Sequence, residues 1–113
     1  MELTYWYQSI QEIRRAHSGH WFDRDTLRFF KSRISEVVYG GRFFVTSEKS
    51  PNDKRRYSIR IAHSDGRIDT IGGFQGYATS KSAHKAAEEL GSPYLKALRS
   101  LNDEDRHRVI YGH

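Results

Sequence analysis

Arg42-Phe43-Phe44-Val45-Thr46-Ser47, then Arg55 to Ile61, then Arg67-Ile68-Asp69-Thr70-Ile71, then Ser80 to Leu90: this stretch decides the fold. The first three segments read as short strands. Tyr57, Ile59 and Ile61 alternate with Ser58, Arg60 and Ala62, the period of two that a strand requires. Asp65-Gly66 between two such patterns signals a hairpin, because a type I′ turn needs positive φ at both central residues. A two-residue turn there pairs Ile61 with Thr70 and Arg60 with Ile71. It puts Tyr57, Ile59, Ile61 and Ile68 on one buried face and leaves the polar alternate face partly wet.

Working outward, Thr79 is a helix N-cap. The helix after it buries Ala83, Ala86, Ala87 and Leu90, small side chains that let a helix sit close to a sheet. Lys81, His84 and Lys85 fall on its exposed side. Gly91 reads as a stop, and Ser92-Pro93 as the cap and first position of a further helix from Tyr94 to Leu101. Asn102 to His113 is a short helix or a frayed tail. On the other side, Thr26 to Val37 has helical spacing, with Leu27, Phe30 and Ile34 on one face and Asp23 or Asp25 as cap. Arg24, Arg28 and Lys31 form a stripe on another face of that helix, either solvated charge or an electrostatic docking surface. Trp6 to His17 is helical too, with Trp6, Ile10 and Ile13 aligned and Ser18-Gly19 as breaker. Gly40-Gly41 and Ser50-Pro51-Asn52-Asp53 are turns.

The fold class is therefore α+β. A three-stranded antiparallel sheet is covered by helices, in α-β-β-β-α order with extra terminal helices. One domain spans 1–113, with its core at about 20–90 and a helical extension over 91–113. A chain of 113 residues suits a single modest core, and the seven Tyr, six Phe and two Trp compensate for a 36% hydrophobic fraction.

Nineteen Lys+Arg against fourteen Asp+Glu give a formal charge of +5, which favours nucleic acid or acidic surfaces as partners. There is no cysteine, so neither a disulfide framework nor a thiolate metal site can form. No apolar run approaches the roughly 20 residues of a membrane span, and Met1 to Tyr7 lacks the layout of a signal peptide. A cytoplasmic location without membrane partners is expected.

Motifs for chemistry are sparse. His17 and His20 with Asp23 and Asp25 are too few and too interrupted for zinc. No Gly-x-Ser-x-Gly elbow occurs. Gly72-Gly73-Phe74-Gln75-Gly76 lacks the Lys-Ser/Thr ending of a phosphate loop. Glu88-Glu89 and Asp103-Glu104-Asp105 are helical charge decoration. No catalytic residue, cofactor or metal is expected. Interleaved basic and aromatic residues are the positive signal: Lys54-Arg55-Arg56-Tyr57, Arg42-Phe43-Phe44, and Lys81 with Lys85 can neutralise phosphates and stack bases.

Two resemblances follow. The α-β-β-β-α order, with Thr79-Ser80-Lys81-Ser82-Ala83-His84-Lys85-Ala86-Ala87, resembles the double-stranded RNA-binding domain and the helix start with which it grips phosphate. Lys81 matches one lysine position, while Ser80 and His84 stand at two others. Ser50-Pro51-Asn52-Asp53 lacks the histidine of that family's loop. Separately, His20-Trp21-Phe22-Asp23, Thr26 to Arg33, Gly41 to Glu48 and Gly73 to Thr79 resemble a family of small uncharacterised phage and prophage proteins. That resemblance implies a non-enzymatic accessory protein in a bacterial host's cytoplasm. Such a protein would bind and block a host protein or ribonucleoprotein, including CRISPR and other defence complexes. The partner-binding candidates are Arg24, Arg28, Lys31, Phe74, Gln75 and Tyr77. The alternative is a nucleic-acid-binding module using Lys54, Arg55, Arg56, Lys81 and Lys85.

Overall fold

The computed structural model describes residues 6–17, 24–29 and 31–111. His20, Asp23, Phe30 and His113 lie outside them. In chain order the elements are α1 (Ile10–Ala16), α2 (Arg24–Phe29), β1 (Arg33–Ile34), β2 (Phe43–Glu48), β3 (Arg56–Ala62), β4 (Ile68–Ile71), α3 (Ser80–Arg99) and α4 (Asp103–Tyr111). The sheet is an antiparallel meander in the order β1-β2-β3-β4.

The α+β class stands, with four strands where three were expected. The extra strand comes from the segment read as a helix over Thr26 to Val37. That helix stops at Phe29, because the chain turns left-handed at Lys31, with φ 48°. The Lys31 N–H bonds the Arg28 carbonyl at 3.1 Å and the Ser32 N–H bonds the Leu27 carbonyl at 2.8 Å. This pair is the Schellman arrangement, with lysine in the seat glycine usually takes. Arg33 and Ile34 then pair with Ser47 and Thr46.

The β3–β4 register also differs by one. Arg60 faces Thr70, Ile61 faces Asp69 and Ala62 faces Ile68. The turn has three residues, closed by the His63 N–H on the Arg67 carbonyl at 2.9 Å, and Gly66 takes a φ of 93°. A one-residue slip moves side chains to the opposite face. Ile71, and not Ile68, therefore joins the layer of Ile59 and Ile61.

Both faces of the sheet are covered. Phe43, Val45, Ile59 and Ile61 pack on Ala83 and Ala87 of α3. Phe44, Ala62 and Ile68 pack on Tyr7, Ile10 and Ile13 at α1. Having α1 and α3 on opposite faces, with a fourth strand, departs from the α-β-β-β-α order behind the RNA-binding-domain resemblance. The alternate face is also not wet: Thr46, Glu48, Ser58 and Arg60 are all buried.

Ser9 caps α1, and Thr79 caps α3 by accepting from the Ser82 N–H. Gly91 does not end α3, which runs on through Pro93 to Arg99. Gly91 is instead a contact point, and its missing side chain lets α3 press on the Gly40 turn. A Cβ there would lie 2.7 Å from the Gly40 nitrogen and 2.8 Å from the Tyr39 carbonyl carbon. Of the four residues expected inside, Ala83 and Ala87 are buried, Ala86 is half-buried, and Leu90 is exposed at 36%. No helix among the described residues is long and apolar enough to cross a membrane.

Candidate functional site

One end of the sheet collects most of the basic candidates. The β2–β3 loop turns back here over Pro51 and Asn52, with Asn52 at φ 66° and the Asp53 N–H bonded to the Ser50 carbonyl at 3.2 Å. The first residues of β1 and of α3 arrive at the same end.

Arg55 is built into this corner. Its Nη1 donates to the Lys31 carbonyl at 2.8 Å, the Ser47 carbonyl at 3.1 Å and the Ser47 hydroxyl at 3.0 Å. Arg56 holds the other side, its Nε donating to the Gln75 carbonyl at 2.7 Å. Two adjacent arginines thus clamp two turns from opposite flanks, and their side chains are half-buried as a result.

Two clefts adjoin at Arg55. One of about 280 Å³ is lined by Arg33, Ser47, Arg55, Tyr57, Ser80 and His84, among others. A second of about 260 Å³ is lined by Asp53, Lys54, Arg55, Arg56 and Ala78. Asp53 is the one carboxylate among the described residues lining either cleft. Lys81 follows Ser80 directly, and Lys85 follows it one helical turn on, both exposed. Three stretches of sequence therefore deliver Arg33, then Lys54, Arg55 and Arg56, then Lys81 to one end of the sheet.

The other candidate set is divided. Arg24 and Arg28 are exposed on α2, but Lys31 has left the helix, so the three-residue stripe does not form. Tyr77 is not a projecting anchor. It pairs with Tyr57 through two backbone hydrogen bonds, of 2.8 and 3.0 Å, and packs half-buried against the α3-side core. Gln75 is a structural turn residue at φ 58°, its N–H bonded to the Ser58 hydroxyl at 2.8 Å. Phe74 alone projects, 52% exposed, with the Arg60 guanidinium 5.3 Å from its ring centre. Arg60 lies on the α1 face, so Phe74 and the α3 lysines sit on opposite faces of the sheet.

Beneath Phe74 is a buried polar network. Arg60 forms an ion pair with Glu48 at 2.9 Å and donates to Thr46 at 3.0 Å and to Thr70. Glu48 also accepts from the hydroxyls of Thr46 and Ser58, at 2.9 and 3.3 Å. Each of the three Arg60 nitrogens has an acceptor, which is what makes a buried charge pair tolerable.

His17 is not set up as a metal ligand. It is buried, and its Nε2 bonds the Tyr7 hydroxyl at 3.0 Å. No group of three or more His, Cys, Asp or Glu side chains gathers among the described residues. His84, expected at the surface, is half-buried, with Nδ1 bonded to the Tyr39 hydroxyl at 2.8 Å. Burial, then the charge of Glu88, raises the Tyr39 pKa above its ordinary 10.0 and keeps that hydroxyl protonated.

Arg33, Ser47 and the Ser80–His84 wall were missed in the sequence. Arg33 was hidden inside the helix reading. Ser80 and His84 were visible only as two residues four apart on α3.

Residues 7–88, well over half the chain, match a family of unknown function, DUF7447. The chain belongs to that family. The match covers all four strands of this DUF7447 protein and both clefts, and it ends within the first half of α3. No curated protein and no solved structure matches it.

Proposed function

We propose that this chain is a non-catalytic module that binds the phosphate backbone of nucleic acid through the basic end of its sheet. One observation carries the reading: Arg33, Lys54, Arg55 and Arg56 line two adjoining clefts, with Lys81 next in sequence to the lining Ser80 and Asp53 as the one carboxylate among the described lining residues. Cations held on turns and a helix start suit a repeating anion better than a single small substrate. Backbone contacts release counterions, so affinity must fall steeply with salt.

The test is fluorescence anisotropy with duplex RNA and DNA across a salt series. Changing Lys54, Lys81 and Lys85 together to Ala should flatten the log–log salt slope by roughly 2–3 units. These three lysines are exposed, so the fold survives the change. No retention of either duplex at low salt sinks the reading.

A second reading is favoured by Phe74, which is half-exposed on a turn that Ser58 and Arg56 hold rigid. Here the chain docks on a protein and blocks it. The resemblance to small phage proteins then makes a host defence complex the candidate partner. A rigid aromatic is the usual anchor of such an interface, and Phe74→Ala would weaken capture by about 2 kcal/mol or more. Capture from a host lysate that resists nuclease and is lost in Phe74→Ala would favour this second reading over the first.

A further inference from the structure

We infer that the cleft between β1 and the start of α3 is a seat for one phosphate group. The inference deepens the backbone-binding reading and rests on it for the source of that phosphate. At about 280 Å³ the cleft lies just under the roughly 300 Å³ at which pockets for drug-sized ligands begin. It is large enough for a phosphate group.

The donors are arranged in advance. Arg55 is fixed by three hydrogen bonds, all through Nη1. Its Nε and Nη2 find no acceptor among the described residues, so one edge of a rigid fork stays available. Arg33 lines the same cleft, and its guanidinium has no ion pair or hydrogen bond among the described residues. A guanidinium fork matches phosphate oxygens two at a time. Ser80 adds a hydroxyl. His84 also lines the cleft, its Nδ1 paired with the Tyr39 hydroxyl; in the tautomer where that hydroxyl donates, the proton sits on Nε2. The helix end adds to this. The Ser82 N–H is bonded to the Thr79 hydroxyl and the Ala83 N–H to the Thr79 carbonyl, which leaves those of Ser80 and Lys81 for an incoming anion.

The test uses the whole ¹⁵N-labelled chain. Inorganic phosphate is titrated against chloride at matched ionic strength, while the amide signals of Ser80 and Lys81 and the Nε signals of Arg33 and Arg55 are followed. Saturable shifts in that set are expected. Arg33→Ala, an exposed site, should weaken them by about tenfold or more, the loss of one charge-assisted contact. Lys96→Ala, at the far end of α3, should leave them unchanged. A short oligonucleotide should then shift the same signals, and added phosphate should compete with it. Absence of saturable shifts, or shifts equally strong in Arg33→Ala, overturns the seat. Tight oligonucleotide binding that leaves these signals in place also overturns it, while the backbone reading survives. Phosphate binding without any oligonucleotide binding upholds the seat, supplied by a free phosphate, and overturns the backbone reading.

Discussion

Lys31 holds a left-handed backbone angle without being glycine, and the Arg55 bond to its carbonyl helps keep it there. A non-glycine residue in this region costs on the order of 1 kcal/mol or more. Part of that cost returns as glycine's greater freedom in the unfolded chain. Lys31→Gly should therefore stabilise by about 0.5–1 kcal/mol in urea unfolding. Destabilisation would mean that the lysine side chain itself holds the corner. Glu48 is the opposite case. Truncating it to Ala leaves Arg60 buried without its anion and should cost about 3–5 kcal/mol. Lys85→Ala, on the exposed side of α3, should stay within about 0.5 kcal/mol. Nothing in the sequence marked Glu48 and Arg60 as a pair. They are polar residues in alternating strands, and only the register Phe44↔Arg60 and Thr46↔Ser58 brings them together.

Elements were legible where local chemistry was strong. The β2 and β3 strands, the β3–β4 hairpin and the Thr79 cap all follow from alternation, turn residues and a hydroxyl before a helix. The helix end at Phe29 was not legible, because its stop signal is a lysine where glycine is the usual mark. The β3–β4 register slipped because Asp-Gly serves three-residue turns as well as two-residue ones. Asp65 shows how this turn is held: it accepts from the Arg67 N–H at 3.1 Å and from Arg67 Nε at 2.8 Å. These bonds, the backbone one first, lower its pKa below the ordinary 3.8. A lowered carboxylate pKa stabilises the fold above the unfolded value, and the benefit is lost as pH falls through the folded one. The Tm advantage of the native chain over Asp65→Asn should thus be full near neutrality and vanish in strong acid. A gap that persists there would place the effect elsewhere. On α3, Gly91→Ala tests the opposed effects of propensity and space. Alanine is the better helix former by about 1 kcal/mol. Its Cβ would nevertheless meet backbone atoms of the Gly40 turn, which cannot swing aside. A net loss of about 1–3 kcal/mol is expected by denaturant titration. A net gain would show that α3 can lift off the turn freely.

At the scale of the molecule, charge is sorted by position. The basic groups gather at one sheet end, while Asp103, Glu104 and Asp105 open α4. That sorting is invisible in a net charge of +5 and in any single motif; it requires knowing which turns share an end of the sheet. The candidate site was accordingly half legible: Lys54, Arg55, Arg56 and Lys81 by composition, Arg33 and His84 only through topology. No residue of α4 is buried, although Arg106 ties it to the Leu98 and Arg99 carbonyls that end α3 and to the Leu101 carbonyl beyond. Deleting 103–113 should lower the Tm by only a few degrees, on the order of 1 kcal/mol. Complete unfolding would show that α4 carries the structure.

The second half of α3 has a different standing. Gly91 meets the Gly40 turn, Tyr94 stacks edge-on to Phe43 at 5.6 Å and lies 5.4 Å from the Arg42 guanidinium, and Leu98 is buried. All of this lies beyond the family-matched residues, yet it roofs a turn within them. The matched stretch taken alone would leave the Tyr39–Arg42 turn bare, so the tail beyond it acts as a lid on the family's own residues.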